Sequence, residues 1–539
     1  MAGSGLSTAH VMAEYLKAAG IPYVFGYPGT SNIEFMEGAR QRGVDTVLAR
    51  REATAAFMAE GFGMLTGRPG VCISTLGPGS TALVNGVAAA NLDRVPMIAI
   101  SGQIGSQSEP YFTHQVVDHK LLFSPITKWA GRVEAGAVAT TMRKALRLAV
   151  AERPGAVHLT TNADVARAEA TDDEVRVPPL TADALAANVF RREGAADPVA
   201  QLRAARRPVL LTGTAATRAG ATESLVRLAE AAGMAVVVSP MAKGVFPEDH
   251  PLFAGVLDMA CNKVLWALLE ASDLIVAAGF DPVELIKPWS VSTPVIHLDA
   301  TANTDQIYAA DTELVGAIPA LLDWLAAGCT GTTGWPEAEL AAHRRTLRET
   351  YYSGRVSGKL NPTDVVDIVR QAVSDDAIVT TDVGSHKLLV GQGWTTTVPR
   401  SCLMTNGLSS MGFALPGAIA AKLAAPQRQV VCTVGDGGFA MVQGELRLAS
   451  GLGLGMVVVV FSDNSLNRIE LKQKALGYPS TATRIETTDL VRLAESMECD
   501  GVLVDTPAAL EKAMGEVGEL TRPLVIDARI DPAQYESQF

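Results

Sequence analysis

Short apolar runs alternate with amphipathic, helix-like stretches from one end of the chain to the other. Runs such as Met456 to Phe461 predict strands, the stretches between them predict helices, and the alternation is that of doubly wound parallel sheets. The predicted fold class is α/β. Two segments interrupt the pattern. Glu169 to Pro179 is charged and contains proline, and Gly328 to Pro336 is rich in Gly and Thr, so both have linker composition. They divide the chain into domains expected at about 1–170, 184–330 and 355–535. No short-period repeat is visible.

Length agrees with that division, because 539 residues correspond to about three domains of ordinary size, each with its own core. The formal net charge is -12, with 19% charged and 48% hydrophobic residues, which is the balance of a soluble acidic protein. It argues against a nucleic-acid surface, where Lys and Arg would cluster. No basic region followed by an apolar core and cleavage site opens the chain, and no apolar stretch is both long and charge-free enough to span a bilayer. Neither nucleic acid nor membrane is an expected partner, and a cytoplasmic location is the expectation. Cys72, Cys261, Cys329, Cys402, Cys432 and Cys499 are scattered without metal-ligand spacing and read as buried free thiols.

Candidate chemistry concentrates in Gly435-Asp436-Gly437-Gly438-Phe439, followed by the apolar run at 456–461 and then by Ser462-Asp463-Asn464. Glycines let backbone approach phosphate oxygens closely, and amides at the start of a helix after Phe439 would point at the anion. Asp436 would hold a hard cation such as Mg2+, with Asp463 as a second carboxylate and the Ser465 carbonyl as a third oxygen. A glycine-aspartate turn alone is common and most often only reverses the chain. The strand, turn, helix, strand and acidic turn in sequence favour the metal and diphosphate reading.

Further segments point to one family. They are Val24-Phe25-Gly26-Tyr27-Pro28-Gly29, Arg51-Glu52-Ala53, Gly77-Pro78-Gly79-Ser80-Thr81, and Asp93-Arg94-Val95-Pro96 through Gly102-Gln103. Thr381-Asp382-Val383-Gly384, Met411-Gly412-Phe413 and the glycine-aspartate motif follow in the same order. Together they closely resemble the thiamin diphosphate enzymes of the acetolactate synthase, pyruvate oxidase and 2-oxo acid decarboxylase group. The resemblance covers nearly the whole chain. It implies three doubly wound parallel-sheet domains, with the aminopyrimidine at the first, a central domain, and the diphosphate with Mg2+ at the third. It also implies self-association to a dimer or tetramer with active sites at the interface.

The resemblance gives Glu52 the catalytic role of a carboxylic acid at N1' of the cofactor, where it promotes the tautomer that removes the C2 proton. Read alone, Glu52 is an acid in a helix's first turn, ahead of Ala53-Thr54-Ala55-Ala56-Phe57. Met411 matches the residue that wedges between the two cofactor rings, and backbone groups of Ser409 and Met411 would contact the aminopyrimidine. Val383, Gly384, Ser385 and His386 match the loop at the diphosphate, beside Gly437, Gly438 and Phe439. His114 and Gln115 fall where relatives place a pocket pair. Thr30 is either a substrate contact or a helix cap. Leu466, Arg468 and Ile469 open the helix that walls the substrate pocket in relatives, and the Arg468 guanidinium could grip an acceptor's carboxylate. Three positions depart from the common pattern: Arg51 where His is frequent, Asp463 where Asn is, and Arg468 where apolar residues are.

Pyruvate decarboxylases protonate their intermediate with paired histidines and a glutamate near the metal-site helix. Here no His-His pair occurs, and Ile469 fills the glutamate's position with Glu470 one residue beyond. A carboligase needs fewer proton donors. The expectation is therefore a carboligase resembling acetolactate synthase, which decarboxylates a small-molecule 2-oxo acid and transfers the remaining fragment to a carbonyl acceptor. The alternatives are a benzoylformate or pyruvate decarboxylase-like enzyme and a non-catalytic cofactor-binding paralogue. Within the resemblance FAD is admitted but not predicted, because Leu211-Thr212-Gly213-Thr214 lacks the dinucleotide fingerprint and Asp258-Met259-Ala260-Cys261 replaces a glycine-containing stretch found beside flavin.

Overall fold

The structure, a computed structural model, describes residues 5–170, 175–180, 191–194, 196–329 and 334–538. The expected start of the central domain at 184 lies outside the described residues, as do 171–174 and 330–333 of the two expected linkers.

Three sheets form, each dominated by parallel strands. The first has six strands in the order β2-β1-β3-β4-β6-β5. They are β1 (Tyr23–Gly26), β2 (Asp45–Leu48), β3 (Gly70–Ser74), β4 (Met97–Gln103), β5 (Trp129–Arg132) and β6 (Ala156–Asn162). The second sheet has the order β10-β9-β8-β11-β12-β13-β7. Its members are β7 (Arg191–Glu193), β8 (Pro208–Thr212), β9 (Ala235–Val238), β10 (Phe253–Val256), β11 (Leu274–Ala278), β12 (Val295–Asp299) and β13 (Thr312–Val315). Among the described strands of this sheet only β7 runs antiparallel, against β13. The third has the order β15-β14-β16-β17-β19-β18. It contains β14 (Ile378–Thr381), β15 (Cys402–Met404), β16 (Val430–Gly435), β17 (Val457–Ser462), β18 (Asp500–Val504) and β19 (Leu524–Arg529). Central strands such as β8, β11 and β17 are buried along their whole length, which explains their unbroken apolar sequences. The three doubly wound α/β sheets match the predicted fold class.

The chain gathers into two compact units. One comprises 1–183 with 407–426 and 442–452; the other comprises 184–406, 427–441 and 453–539. In the first, the helix Glu52–Thr66 is buried continuously from Thr54 to Gly63. A helix apolar on all sides needs neighbours on all sides. One neighbour is the helix Ala414–Ala424, where Gly61 and Gly417 meet so closely that a Cβ at 61 would stand 2.8 Å from the Gly417 Cα. Phe57 and Phe413 close the same contact edge to face, with ring centroids 6.2 Å apart.

All six cysteines are buried free thiols, as expected. Among the described residues, no helix is long and apolar enough to cross a membrane.

Candidate active site

Register in the third sheet assembles one part of the site. Gly435 at the end of β16 pairs with Phe461 of β17, so Asp436 and the turn beginning at Ser462 leave the sheet side by side. Thr381 of β14 pairs with Thr433, which brings Asp382 to Gly384 out next to Gly435. Winding reverses between β14 and β16, and the carboxyl ends of strands at such a reversal form the ligand crevice of open parallel sheets.

The helix after β16 begins at Asp436 itself and runs to Val442, earlier than the start after Phe439 that the sequence suggested. An acid in a first turn is favourable, and Asp436 Oδ1 accepts the Gly437 N–H at 2.8 Å. Its Oδ2 accepts Asn464 N–H at 2.7 Å and Asp463 N–H at 3.2 Å, which ties the two acidic turns together. Burial raises the Asp436 carboxyl above the usual range. Burial and the neighbouring Asp436 charge push Asp463 up to about 7. Two crowded carboxylates that resist ionisation are a donor set that a hard dication would relieve. Among the described residues no cluster of three or more His, Cys, Asp or Glu side chains has metal-binding separation, and a Mg2+ site of this kind needs only one or two carboxylates besides phosphate.

His386, the second residue of the helix Ser385–Gly393, is buried beneath the same turn. Its ring stacks on Phe461 with centroids 5.5 Å apart, and Nε2 lies 3.5 Å from Asp382 Oδ1. A Cβ at Gly384 would stand 2.5 Å from the His386 ring, and one at Gly438 would stand 2.9 Å from Asp382 Oδ2. These glycines therefore serve close packing on His386 and Asp382. The Ser385 hydroxyl meets the Asn467 side chain at 2.9 Å. Ser465 is held from both sides: its N–H donates to Asp463 Oδ1 at 3.1 Å, and its hydroxyl donates to Glu470 Oε2 at 2.5 Å. Leu466 caps the helix Asn467–Ala475, and Arg468 and Ile469 in its first turn are exposed.

The first unit holds Glu52. That residue opens its helix as expected, and a Cβ at Gly79 would stand 2.9 Å from Glu52 Oε1, so glycine at 79 leaves room for the carboxylate. Gly77 N–H donates to the Gln115 carbonyl at 2.8 Å, which brings Gln115 beside the same Gly-Pro-Gly turn. Gln115 is exposed, with φ of 60°, and so is His114, whose ring sits edge-on to Phe112. Thr30 is exposed, and the adjacent helix Ile33–Gln41 takes Asn32 as its N-terminal cap, so the capping alternative for Thr30 falls away. In the 407–413 loop Ser409 is exposed with φ of 54°, Ser410 meets Asn85 at 2.9 Å, and Met411 is half-buried.

Sequence reasoning missed Glu445. Its buried carboxylate accepts the Arg50 N–H at 2.9 Å and the Thr54 hydroxyl at 2.5 Å, at the mouth of the Glu52 helix, where Arg51 supplies no side-chain cap. No local signal links residues so distant in sequence. Asn467 was passed over for its neighbours, and Asp382 was noticed only as part of a motif.

Comparison with known proteins identifies the family. The thiamine pyrophosphate enzyme models match in chain order: the N-terminal TPP binding domain at 6–122, the central domain at 196–325 and the C-terminal TPP binding domain at 382–528. The chain is 31% identical to a probable acetolactate synthase large subunit of Methanocaldococcus jannaschii, over 98% of this chain and 92% of that one. It is 29% identical to an acetolactate synthase of Bacillus subtilis, over 97% and 93%. It is 30% identical to the large subunit of acetolactate synthase isozyme 1 of Escherichia coli, over 98% and 96%. With all three domains present and relatives similar along nearly their full length, the chain belongs to the thiamine pyrophosphate enzyme family.

Proposed function

We propose that this enzyme is a Mg2+-dependent carboligase that decarboxylates a 2-oxo acid and joins the remaining fragment to a carbonyl acceptor, as acetolactate synthases do. Near-full-length similarity to acetolactate synthases carries the reading. When bound, thiamin diphosphate supplies the carbon nucleophile and the electron sink. Asp436, Asp463 and the Ser465 carbonyl would hold Mg2+, and the coupled, ionisation-resistant carboxyls support that assignment. Val383, Gly384, Ser385, His386, Gly437, Gly438 and Phe439 would surround the diphosphate. Glu52 would hold a proton at the aminopyrimidine N1', with Ser409 and Met411 against the same ring. Gln115, His114, Thr30, Leu466, Arg468 and Ile469 would face the substrates; Leu466 is half-buried, and the exposure of the other five leaves them accessible to small molecules. Self-association, with the cofactor between subunits, and a cytoplasmic location belong to the same reading.

A product screen tests it. The full-length protein, with Mg2+ and thiamin diphosphate, is offered a panel of 2-oxo acids with and without carbonyl acceptors. A new carbon-carbon bond is the expected outcome. Free aldehyde alone would favour the decarboxylase, and no product with any donor would favour a non-catalytic paralogue.

A further inference from the structure

The central sheet reverses its winding between β8 and β11, because β9 and β10 lie on one side of β8 and β11 to β13 on the other. In a sheet of this order a dinucleotide sets its diphosphate against the turn that follows the first strand. Here that turn is Gly213-Thr214, after β8, and the loop 279–287 leaving β11 faces it.

The turn is already occupied by a side chain. The Thr214 N–H points at both carboxylate oxygens of Glu284, at 3.0 and 3.1 Å, and the Asp281 N–H donates to Oε1 at 3.0 Å. The Ser239 hydroxyl, just beyond β9, donates to Oε2. Glu284 is 1% exposed. A Cβ at Gly213 would stand 2.5 Å from Glu284 Oε1 and 2.4 Å from the Phe280 Cα, so glycine here serves close packing of the chain's own loop.

The loop is fixed beyond Glu284 as well. The Asn406 side-chain amide donates to the Glu284 carbonyl at 2.8 Å. One oxygen of Asp258 accepts the N–H groups of Ile286 and Lys287 at 2.7 and 3.0 Å, and the other accepts the Trp266 indole N–H at 3.0 Å. Asp258 belongs to the stretch that replaces glycine-containing sequence of flavin-bearing relatives, and its carboxylate ties this loop to the helix Asn262–Ala271, because the oxygen that takes the Trp266 indole also accepts the Asn262 side-chain amide at 3.0 Å.

We infer that the Glu284 carboxyl group is an internal plug of the central domain, which takes the N–H groups a dinucleotide's diphosphate would take, so that this chain carries no flavin or other dinucleotide at that sheet. Its two oxygens stand as acceptors to these donors where phosphate oxygens would otherwise stand. Flavin does not fit the residues present. The inference is independent of which reaction the enzyme catalyses.

Two measurements on the full-length holoenzyme test it. The purified protein should show no visible flavin absorption, and calorimetric titration with FAD and with ADP should show no saturable binding up to about 1 mM. Stoichiometric flavin, or saturable binding of either nucleotide, would overturn the inference. The second measurement is hydrogen exchange at individual amides in wild type and in the near-isosteric variant Glu284→Gln. Replacing one acceptor oxygen by an NH2 group should speed exchange at Thr214 and Asp281 by about tenfold. Unchanged protection at both amides would show that Glu284 does not hold the turn.

Discussion

The Thr54 hydroxyl donates to the Glu445 carboxylate at 2.5 Å, joining residues 391 positions apart in the chain. Glu445 thereby ties the residue that precedes the cap position of the Glu52 helix to a side chain of its first turn, where Arg51 makes no side-chain cap. Glu445→Ala would leave the Arg50 N–H and the Thr54 hydroxyl without this acceptor, at a cost of about 2 kcal/mol. The expected result is a lower thermal midpoint. A midpoint equal to wild type would show that water replaces the carboxylate fully.

Glu52→Gln should retain thiamin diphosphate binding and slow exchange of the cofactor's C2 proton, because an amide cannot deliver a proton to N1'. NMR-detected exchange is the readout. Wild-type exchange rates in the variant would remove Glu52 from the proposed role.

Asp436→Ala should abolish Mg2+-dependent binding of thiamin diphosphate, whereas Asp463→Asn should be tolerated, because an amide oxygen still coordinates. Calorimetric titration separates the two variants. Equal affinity in wild type and Asp436→Ala would move the metal elsewhere.

Arg468→Leu should raise KM for a carboxylate-bearing substrate by the equivalent of about 1.5 to 3 kcal/mol and spare turnover with neutral aldehydes. The motivating observation is a guanidinium exposed on the first turn of the helix that follows Ser465. Steady-state kinetics on both substrate types decides it, and equal losses would leave Arg468 a structural role only.

Burial raises the Glu284 carboxyl from 4.5 to about 7. A raised folded-state value favours the protonated form, so its contribution to stability is complete below about 4.5 and is lost as pH rises through 7. The loss amounts to about 3 kcal/mol. Thermal midpoints of wild type should therefore fall relative to those of Glu284→Gln between pH 5 and pH 8. A constant difference between the two proteins across that range would contradict the shift.

Much of the fold was legible because periodicity is local. Apolar runs such as 456–461 form strands in which every residue is buried, and the helix opened by Glu52 begins where its acid and the following small apolar residues place it. The pairing of the two acidic turns was legible for the same reason, since Asp436 and Asp463 follow two adjacent strands. The helix start at Asp436 was misplaced because glycines in a first turn look like loop. Glu445, Glu284 and Asp258 were invisible because each satisfies backbone N–H groups far away in sequence, and only parallel register and crossover bring donor and acceptor together. The substrate candidates Thr30, His114, Gln115 and Arg468 are exposed, and no local pattern in the sequence fixes their roles; the Arg468→Leu variant addresses one of them through kinetics.

The helix at 414–424 and the segment 442–452 complete a unit whose remainder ends at residue 183. On the ribosome, that unit cannot close until residue 452 has emerged, a delay on the order of tens of seconds at roughly 5 to 20 residues per second. Throughout it, Phe57 and the surface around Gly61 lack the Phe413 and Gly417 contacts that cover them in the finished protein. An N-terminal fragment ending near residue 180 should therefore be retained by chaperones or aggregate when expressed, and it should recover only when the later segments are supplied.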